Sequence, residues 1–371
     1  MNHNDLMLRA IALAEKGKGQ TCPNPCVGAL VVAGDEIVGQ GYHRKFGGNH
    51  AEVEAINDAG SRGCDLSLCV LYVTLEPCNH HGKTPPCTRA ILNSGIKEVV
   101  IGALDPNSGV EGGGAKFLRQ SGIRVTTGVQ EQKCLDLIAD FALWQQTSRA
   151  YLYLKMASTL DGRIATRQNH SKWVTTSASR EKVHYLRSRT GAVIIGANTF
   201  YQDNPKLTCR GFDVEDQPLS VVVTSRLPDP QGDYFLLQQR PSQTIFWTDH
   251  EAAGSSRASR LKDLGCQVLS LDQKGAGLDL GQGLDWLRRE KGVYYAMCEG
   301  GGKLALGFLE EGLADEIWYF IAMKILGDEQ GVPVFHGREC GFMHEAIGLR
   351  LSRSDTAGDD LWLRLFPRDK G

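Results

Sequence analysis

The stretch 74-TLEPCNHHGKTPPCT-88 holds two cysteines, two adjacent histidines and three prolines within fifteen residues. It continues an apolar run, 69-CVLYVT-74, that predicts a buried strand. It leads into 86-PCTRAILNSG-95, where proline at the start and glycine at the end predict a helix. A strand, loop and helix with cysteines in the loop are compatible with a structural clip, a redox pair or half of a catalytic metal site.

The segments on either side extend this alternation of strands and helices. Residues 27-VGALVV-32 and 36-EIVGQGYH-43 predict a hairpin that turns at Gly34-Asp35. His50 opens a predicted helix, and 98-EVVIGA-103 predicts another buried strand. Strands that alternate with helices favour an α/β fold, with a largely parallel sheet and helices on its faces.

A second alternating pattern begins at Tyr151, after a helix predicted over 132–150. Because 371 residues exceed one ordinary core, two domains are expected. We place them at 1–146 and 147–371.

Charge and hydropathy argue against several classes of protein. The formal net charge of −2 gives no reason to expect a nucleic-acid or membrane surface. No apolar run approaches the roughly 18 residues that cross a bilayer, and the N-terminal segment lacks the order of a secretory signal. We therefore expect a cytoplasmic location, where disulfides are disfavoured. The eleven cysteines are then expected to be buried apolar side chains or metal ligands.

A histidine and a glutamate upstream give the cysteine pair a specific interpretation. His50, Glu52, Cys78 and Cys87 follow the pattern H-x-E…P-C…C of zinc deaminases. Two thiolates and one imidazole supply three zinc ligands and leave the fourth position for water, whose pKa the metal lowers. Glu52, which is not a ligand in this pattern, then carries the proton of that water.

A purely structural zinc site is the alternative. The motif H-x-E is common by itself, and two cysteines with eight residues between them are compatible with unrelated buried thiols. A structural site needs a fourth ligand, and the nearby Cys64 and Cys69 have no matching spacing. We therefore favour catalytic zinc.

The first half resembles the deaminase domain of the bifunctional deaminase/reductase family of riboflavin biosynthesis. The matching segments are 23-PNPCVGALVV-32, 50-HAEVEA-55, 74-TLEPCNHHGKTPPCT-88 and 105-DPN-107. The resemblance implies a cytidine-deaminase-like, three-layer domain that removes the 2-amino group of a phosphoribosylated diaminopyrimidine. It also implies substrate contacts at Asn24, His43, His80, Lys83, Asp105 and Asn107. One departure is Asn49, where the family usually has proline.

The second half resembles the reductase domain of the same family, which has a dihydrofolate-reductase-like fold. The matching segments are 154-LKMASTLDGRIA-165, 171-SKW-173, 183-VHYLRSR-189, 193-VIIGANTFYQDNPKLTCR-210 and 298-CEGGGKLALGFL-309. The resemblance implies hydride transfer from NADPH to C1′ of the ribosyl group, without a flavin. The implied NADPH contacts are Ala157, Trp173, Thr199, Asp203, Ser225, Gly301, Gly302, Lys303, Leu304, Ala305, Leu306 and Gly307. The implied substrate contacts are Lys155, Ser171, Arg187, Leu207, Arg210 and Glu299.

The residues alone specify this second site less well. The glycines 300-GGG-302 at a strand–helix junction suit a phosphate at a helix N-terminus, or simply a tight turn. Arg187 and Arg210 suit a substrate phosphate or exposed ion pairs. Thr176, Asn204 and Met323 stand where the family has glycine, aspartate and proline.

We therefore predict a bifunctional enzyme with one zinc ion in the deaminase site and NADPH in the reductase site. Its partners are expected to be a small-molecule substrate and, from the resemblance, further copies of itself in a dimer or tetramer. The alternative is a pyrimidine-nucleotide deaminase whose C-terminal domain only binds a ligand or mediates assembly. Editing of tRNA or DNA is disfavoured by the near-neutral charge and by the lack of a basic, aromatic-rich segment.

Overall fold

The computed structural model describes residues 2–80, 85–106, 113–275 and 277–368. The chain divides into two compact units, Met1–Thr147 and Ser148–Gly371. Each unit has its own sheet and its own hydrophobic core. Within the described ranges, no helix has the length and apolar character needed to cross a membrane.

The first unit is a five-stranded sheet, in the order β2-β1-β3-β4-β5, with helices packed on both faces. Its strands are β1 Gly28–Ala33, β2 Glu36–Tyr42, β3 Val70–Leu75, β4 Glu98–Ala103 and β5 Arg124–Thr127. Its helices are α1 His3–Ala14, α2 Ala51–Ser61, α3 Cys87–Ser94, α4 Gly114–Gln120, α5 Glu131–Leu137 and α6 Ala139–Gln146. The predicted hairpin is confirmed, since β1 pairs antiparallel with β2 and Gly34 takes a φ of +59° in the turn.

Two features of this unit differ from the sequence prediction. The sheet is mixed, because β1 runs antiparallel to β2 and β3, whereas β3, β4 and β5 are parallel. Alternation along the chain indicates which segments are strands, but it does not set their direction. The single helix predicted over 132–150 is two helices, since Ile138 leaves helical geometry at φ −106° and ψ 15°.

Helix α2 packs closely on the sheet because glycines of β2 face it. A Cβ on Gly41 would come within 2.6 Å of the Ala51 carbonyl oxygen, and a Cβ on Gly39 would overlap the Ala55 carbonyl oxygen. A larger residue at either position would push the helix outward. These glycines therefore help to position the N-terminus of α2, where His50 is the N-cap residue.

The second unit is built on a nine-stranded sheet in the order β11-β10-β9-β8-β14-β6-β15-β18-β17. The strands of this unit are β6 Tyr151–Thr159, β7 Arg163–Ala165, β8 Ala192–Gly196, β9 Leu219–Val223, β10 Thr244–Thr248, β11 Gln267–Ser270, β12 Gln273–Lys274, β13 Gly277–Leu278, β14 Tyr295–Cys298, β15 Glu316–Ala322, β16 Val332–Pro333, β17 Leu349–Ala357 and β18 Asp360–Pro367. Its helices are α7 Ser177–Arg187, α8 Ala197–Asp203, α9 Phe235–Gln239, α10 His250–Ala253, α11 Ser256–Asp263, α12 Leu280–Lys291 and α13 Gly302–Glu310.

The direction of these strands decides where a ligand can bind. From β11 to β15 all neighbouring strands are parallel, and only β18 and β17 pair antiparallel at one edge. The core of this sheet includes the fully buried Leu154, Ile194, Trp247 and Phe308. Since the carboxyl ends of parallel strands meet at one edge, the segments after β6, β8, β9 and β14 share the edge at which open α/β sheets bind ligands.

Candidate active sites

Three predicted metal ligands meet in the first unit. His50 is the N-cap residue of α2, Cys78 follows β3, and Cys87 is the first residue of α3. The possible ligand atoms all lie within 4.8 Å of one another. His50 Nδ1 lies 3.1 Å from Cys87 Sγ and 3.6 Å from Cys78 Sγ. A tetrahedral zinc ion, with bonds of about 2.0 Å to nitrogen and about 2.3 Å to sulfur, would separate such atoms by roughly 3.5–3.8 Å.

The protonation of these side chains also suits a cation. The hydrogen bond from the Cys87 thiol lowers the pKa of Cys78 to about 4, and the same contact raises the pKa of Cys87. The hydrogen bond to Cys78 likewise raises the pKa of His50. Two sulfurs that share one proton have the charge and spacing that a divalent ion satisfies. The donor set therefore fits zinc with three protein ligands.

Glu52 lies beside these ligands in the first turn of α2, with 3% of its surface exposed. Burial raises the pKa of its carboxyl group to about 7, and the Cys78 charge adds to this shift. A carboxyl group with a pKa near neutrality can both accept and release a proton. Its position and its proton affinity suit the role predicted for it.

A cavity of about 260 Å³ opens onto His50, Glu52 and Cys78. Four of the predicted substrate contacts lie on its wall, and they are Asn24, His43, His80 and Asp105. The other two, Lys83 and Asn107, lie outside the described residues. The structure thus places these four residues on one cavity with His50, Glu52 and Cys78, and Cys87 adjoins the site through its contacts with His50 and Cys78.

His43 is held by hydrogen bonds at both ring nitrogens. The amide of Asn24 lies 3.3 Å from Nε2, and the carbonyl oxygen of Asn49 lies 2.9 Å from Nδ1. Because a carbonyl oxygen only accepts, Nδ1 carries the hydrogen, and Nε2 accepts from the amide of Asn24. Burial lowers the pKa of His43, which favours this neutral form. Asn49 therefore supplies a backbone acceptor to His43. The side-chain amide of Asn49 also donates to Glu54 Oε1 at 2.9 Å.

Sequence reasoning assigned no role to several side chains that also line this cavity, and Phe46, Glu76 and Phe141 are among them. Glu76 lies within the quoted stretch 74–88, where its position directly before Pro77-Cys78 was the available signal. Phe141 lies in α6, far from every motif, and no local pattern marks it.

In the second unit, a buried ion pair lies at the carboxyl edge of the parallel strands. Arg187 Nε and Nη2 donate to Glu299 at 2.5 and 2.8 Å, and Nη1 donates to the Thr208 carbonyl oxygen at 2.9 Å. Burial opposes ionisation of Glu299, but the charge and hydrogen bonds of Arg187 hold its pKa below the usual value. Burial lowers the pKa of Lys155 on β6, and the Glu299 charge opposes that shift. Three predicted substrate residues thus form one charged cluster.

The segment that follows α8 places two further predicted substrate residues beside this cluster. The Arg210 backbone amide donates to His184 Nδ1 at 3.2 Å. The side-chain Nη2 of Arg210 lies 3.1 Å from His184 Nε2. Leu207 is buried and has a φ of +50°, a strained conformation for a bulky side chain. Such strain is frequent where the backbone is held for binding. Ser171 lies in the segment before Trp173 and is half-buried.

The predicted cofactor residues lie along the same edge of the sheet. Ala157 is on β6, Thr199 and Asp203 are on α8, Ser225 follows β9, and Gly301 is the N-cap residue of α13. Trp173 is 65% exposed, and the Arg180 guanidinium lies 4.4 Å from its ring centroid. The first turn of α13 comprises Gly302, Lys303, Leu304 and Ala305, and Leu306 and Gly307 begin its second turn. Of these, Ala305 is fully buried in the core, so its side chain packs inside the protein.

Two of the three departures in the second unit have structural partners. Thr176 is the N-cap residue of α7, and its hydroxyl also lies 2.8 Å from Asp360 Oδ2. Asn204 ends α8 at a φ of +41°, accepts from the Phe235 amide and donates to the Asp233 carbonyl oxygen. Asparagine tolerates this left-handed conformation well. Met323 is 53% exposed, and nothing in the structure explains it.

Comparison with protein families divides the chain in the same order. The family described as the cytidine and deoxycytidylate deaminase zinc-binding region matches residues 1–103. The family described as the RibD C-terminal domain matches residues 150–363.

Curated relatives and solved structures match nearly the whole chain. The riboflavin biosynthesis protein RibD of Aquifex aeolicus is 41% identical over 96% of each chain. That of Escherichia coli K12 is 34% identical over 97% of this chain and 98% of its own. A Thermotoga maritima diaminohydroxyphosphoribosylaminopyrimidine deaminase/5-amino-6-(5-phosphoribosylamino)uracil reductase superposes with a TM-score of 0.76, at 36% identity over 98% of both chains. RibD of Acinetobacter baumannii superposes with a TM-score of 0.72, at 34% identity over 99% of both chains.

Proposed function

The chain belongs to the RibD family of riboflavin biosynthesis proteins, and we propose which of its residues carry each of its two reactions. It is a bifunctional enzyme of riboflavin biosynthesis with a zinc-binding deaminase domain and a reductase domain. The alternative of a C-terminal domain that only binds or assembles is not favoured, because the similarity to deaminase/reductases extends through both units.

The proposed first reaction is hydrolytic deamination of diaminohydroxyphosphoribosylaminopyrimidine, the compound in the name of the Thermotoga relative. His50, Cys78 and Cys87 would hold the zinc ion. When bound, zinc supplies a positive centre that lowers the pKa of water towards neutrality. Glu52 takes a proton from the attacking water and delivers protons to the ring nitrogen and to the leaving ammonia. Water and the C2 amino group are thereby exchanged for a carbonyl group and ammonia.

The wall of the cavity would orient the pyrimidine for this attack. The amide of Asn24 donates to the neutral His43, which fixes the orientation of both side chains on the cavity wall. Asp105 lies on the same wall. Lys83 and Asn107 are proposed to contact the substrate from their matches to the family motifs alone. The single observation that carries the deaminase assignment is the cluster of the three ligands beside the buried Glu52, at a cavity that His50, Cys78 and Glu52 line.

The proposed second reaction is reduction of the ribosyl side chain of the deaminated product. NADPH would donate a hydride to C1′, and the ring oxygen that leaves C1′ would be protonated, which gives a ribityl group and NADP⁺. We assign Lys155, Arg187 and Glu299 to the sugar and phosphate of the substrate, together with Ser171, Leu207 and Arg210. The cofactor would lie along the carboxyl edge of β6, β8, β9 and β14, against Trp173 and the N-terminus of α13. The charged cluster at this edge is the observation that supports the assignment.

Cofactor titration tests the reductase proposal directly. We expect the full-length chain to bind NADPH, and to oxidise it only when the deaminated pyrimidine is present. Parallel titration with NADH tests the choice of cofactor, which rests on the family resemblance. No nucleotide binding and no turnover would reject the reductase assignment.

We also propose a homo-oligomer, a dimer or tetramer, which light scattering of the purified chain would test. The cytoplasmic location stays a prediction.

A further inference from the structure

Helix α6 contributes an aromatic side chain to the deaminase cavity. Phe141 lines this cavity with Val27 and Leu75, and so forms an apolar part of the wall that Glu52 also lines. The same side chain packs against a small buried cluster that includes Leu75 and Ile138. The Phe141 ring is therefore supported by the core and is also available to a ligand in the cavity.

A buried ion pair holds the turn of chain that carries Phe141. Lys18 Nζ lies 2.8 Å from Asp140 Oδ2 and donates to the Leu137 carbonyl oxygen at 2.8 Å. Only 8% of the Lys18 side chain and 2% of the Asp140 side chain are exposed. Asp140 Oδ1 in turn accepts from the Phe141 backbone amide at 2.8 Å. Lys18 thus connects the segment before Asn24 to the start of α6.

An ion pair of this kind is weak evidence for a role in stability. Removing two charges from water costs free energy that their attraction only partly returns. A protein with well-packed apolar residues in place of such a pair is often equally stable. What such a pair does supply is a fixed geometry, because both charges must stay within hydrogen-bonding distance. The geometry fixed here is that of Asp140, which is adjacent to Phe141 in the chain.

We propose that Phe141 contacts the face of the pyrimidine ring and helps to determine the specificity of the deaminase, and that Lys18 and Asp140 are positioning residues for it. This proposal rests on the deaminase function proposed above. A planar heterocycle has two faces that favour apolar or aromatic contact, while its edges need hydrogen bonds. Asn24 suits an edge, and Phe141 suits a face.

Substrate binding by an inactive variant measures the role of Phe141 without turnover. In the zinc-loaded, full-length Glu52→Gln background, we expect Phe141→Ala to raise the calorimetric dissociation constant for the phosphoribosylated diaminopyrimidine about 10- to 100-fold. Phe141→Leu should recover most of the loss. The matched control is Phe117→Ala, which removes a partly buried phenylalanine of the same unit from α4, away from the cavity. An unchanged constant for Phe141→Ala, or an equal loss for Phe117→Ala, would overturn the proposal.

A pair of charge variants tests the positioning role. Lys18→Met alone should lower the melting temperature and weaken substrate binding, because Asp140 loses its buried cation. Lys18→Met combined with Asp140→Leu should restore most of the melting temperature, since both charges are then gone. We expect substrate binding to stay weak in the double variant. Full recovery of binding together with stability would show that the pair serves stability alone.

The outcome also separates this inference from the proposed function. If Glu52→Gln retained deamination, the catalytic assignment itself would fail. If Glu52→Gln abolished deamination and Phe141→Ala bound the substrate normally, only the role of Phe141 would be rejected.

Discussion

Glu76 Oε2 accepts a hydrogen bond from the backbone amide of Asp105 at 3.1 Å, and its Oε1 accepts from the amide of Ala115 at 2.8 Å. One carboxylate at the end of β3 therefore holds both Asp105 on the cavity wall and the first turn of α4. Since each oxygen has its own backbone donor, a carboxylate is the side chain that satisfies both amides.

Glu76→Gln should weaken substrate binding in the deaminase site. The new amide group presents hydrogens to one of the two backbone donors, so Asp105 or Ala115 loses its acceptor. We expect the KM for deamination to rise about tenfold with a smaller change in kcat. Steady-state kinetics of the zinc-loaded chain measure both. The matched control is Glu98→Gln, whose partner Arg124 is exposed. Equal kinetics in the parent and Glu76→Gln chains would contradict this role.

The stability of the reductase unit should fall in acid because of His184. Burial and the charges of Arg187 and Arg210 lower its pKa from 6.5 to about 4. Between those values the unfolded chain binds a proton that the folded chain does not, so the free energy of unfolding decreases as the pH falls through this window. His184→Asn should reduce this dependence. Urea unfolding of both chains at about pH 5 and about pH 7 measures the difference. Parallel pH profiles for the two chains would rule out this contribution.

Glu299→Gln should abolish reduction and destabilise the second unit, while deamination continues. Both oxygens of Glu299 accept from Arg187, and the side chains of this pair are only 12% and 11% exposed. Loss of the carboxylate leaves a buried guanidinium without its counterion, which we expect to cost about 3 kcal/mol. Denaturant unfolding and NADPH oxidation report the two effects. Glu310→Gln, which affects the more exposed pair with Arg338, serves as the control and should change neither.

Thr176→Gly should affect stability and leave the reductase kinetics unchanged. The Thr176 hydroxyl accepts from the Ser179 amide as an N-cap and lies within hydrogen-bonding distance of Asp360 and of the Ala357 carbonyl oxygen. Glycine removes these contacts, and we expect a loss of about 1 kcal/mol in the free energy of unfolding. Ser177→Gly is the control at an exposed neighbour. A change in KM for NADPH or substrate would instead assign Thr176 to the site.

The cluster of His50, Cys78 and Cys87 could be predicted from sequence because each residue lies where a local element begins or ends. His50 and Cys87 open helices and Cys78 follows a buried strand, so the motif and the predicted elements identify the same positions. Phe141 could not be predicted this way, because a tertiary contact alone brings α6 to the cavity. The directions of β1 and β3 and the break at Ile138 also depend on packing, to which the hydrophobic pattern is insensitive.

A coupled assay of the Glu52→Gln chain tests the central claim, that one chain carries two separate catalytic sites. Zinc content, NADPH oxidation from the diaminopyrimidine, and NADPH oxidation from the deaminated product are measured on the same preparation. We predict parental zinc content, no oxidation from the diaminopyrimidine and full oxidation from the deaminated product. Oxidation from the diaminopyrimidine at the parental rate, or none from the deaminated product, would contradict the account.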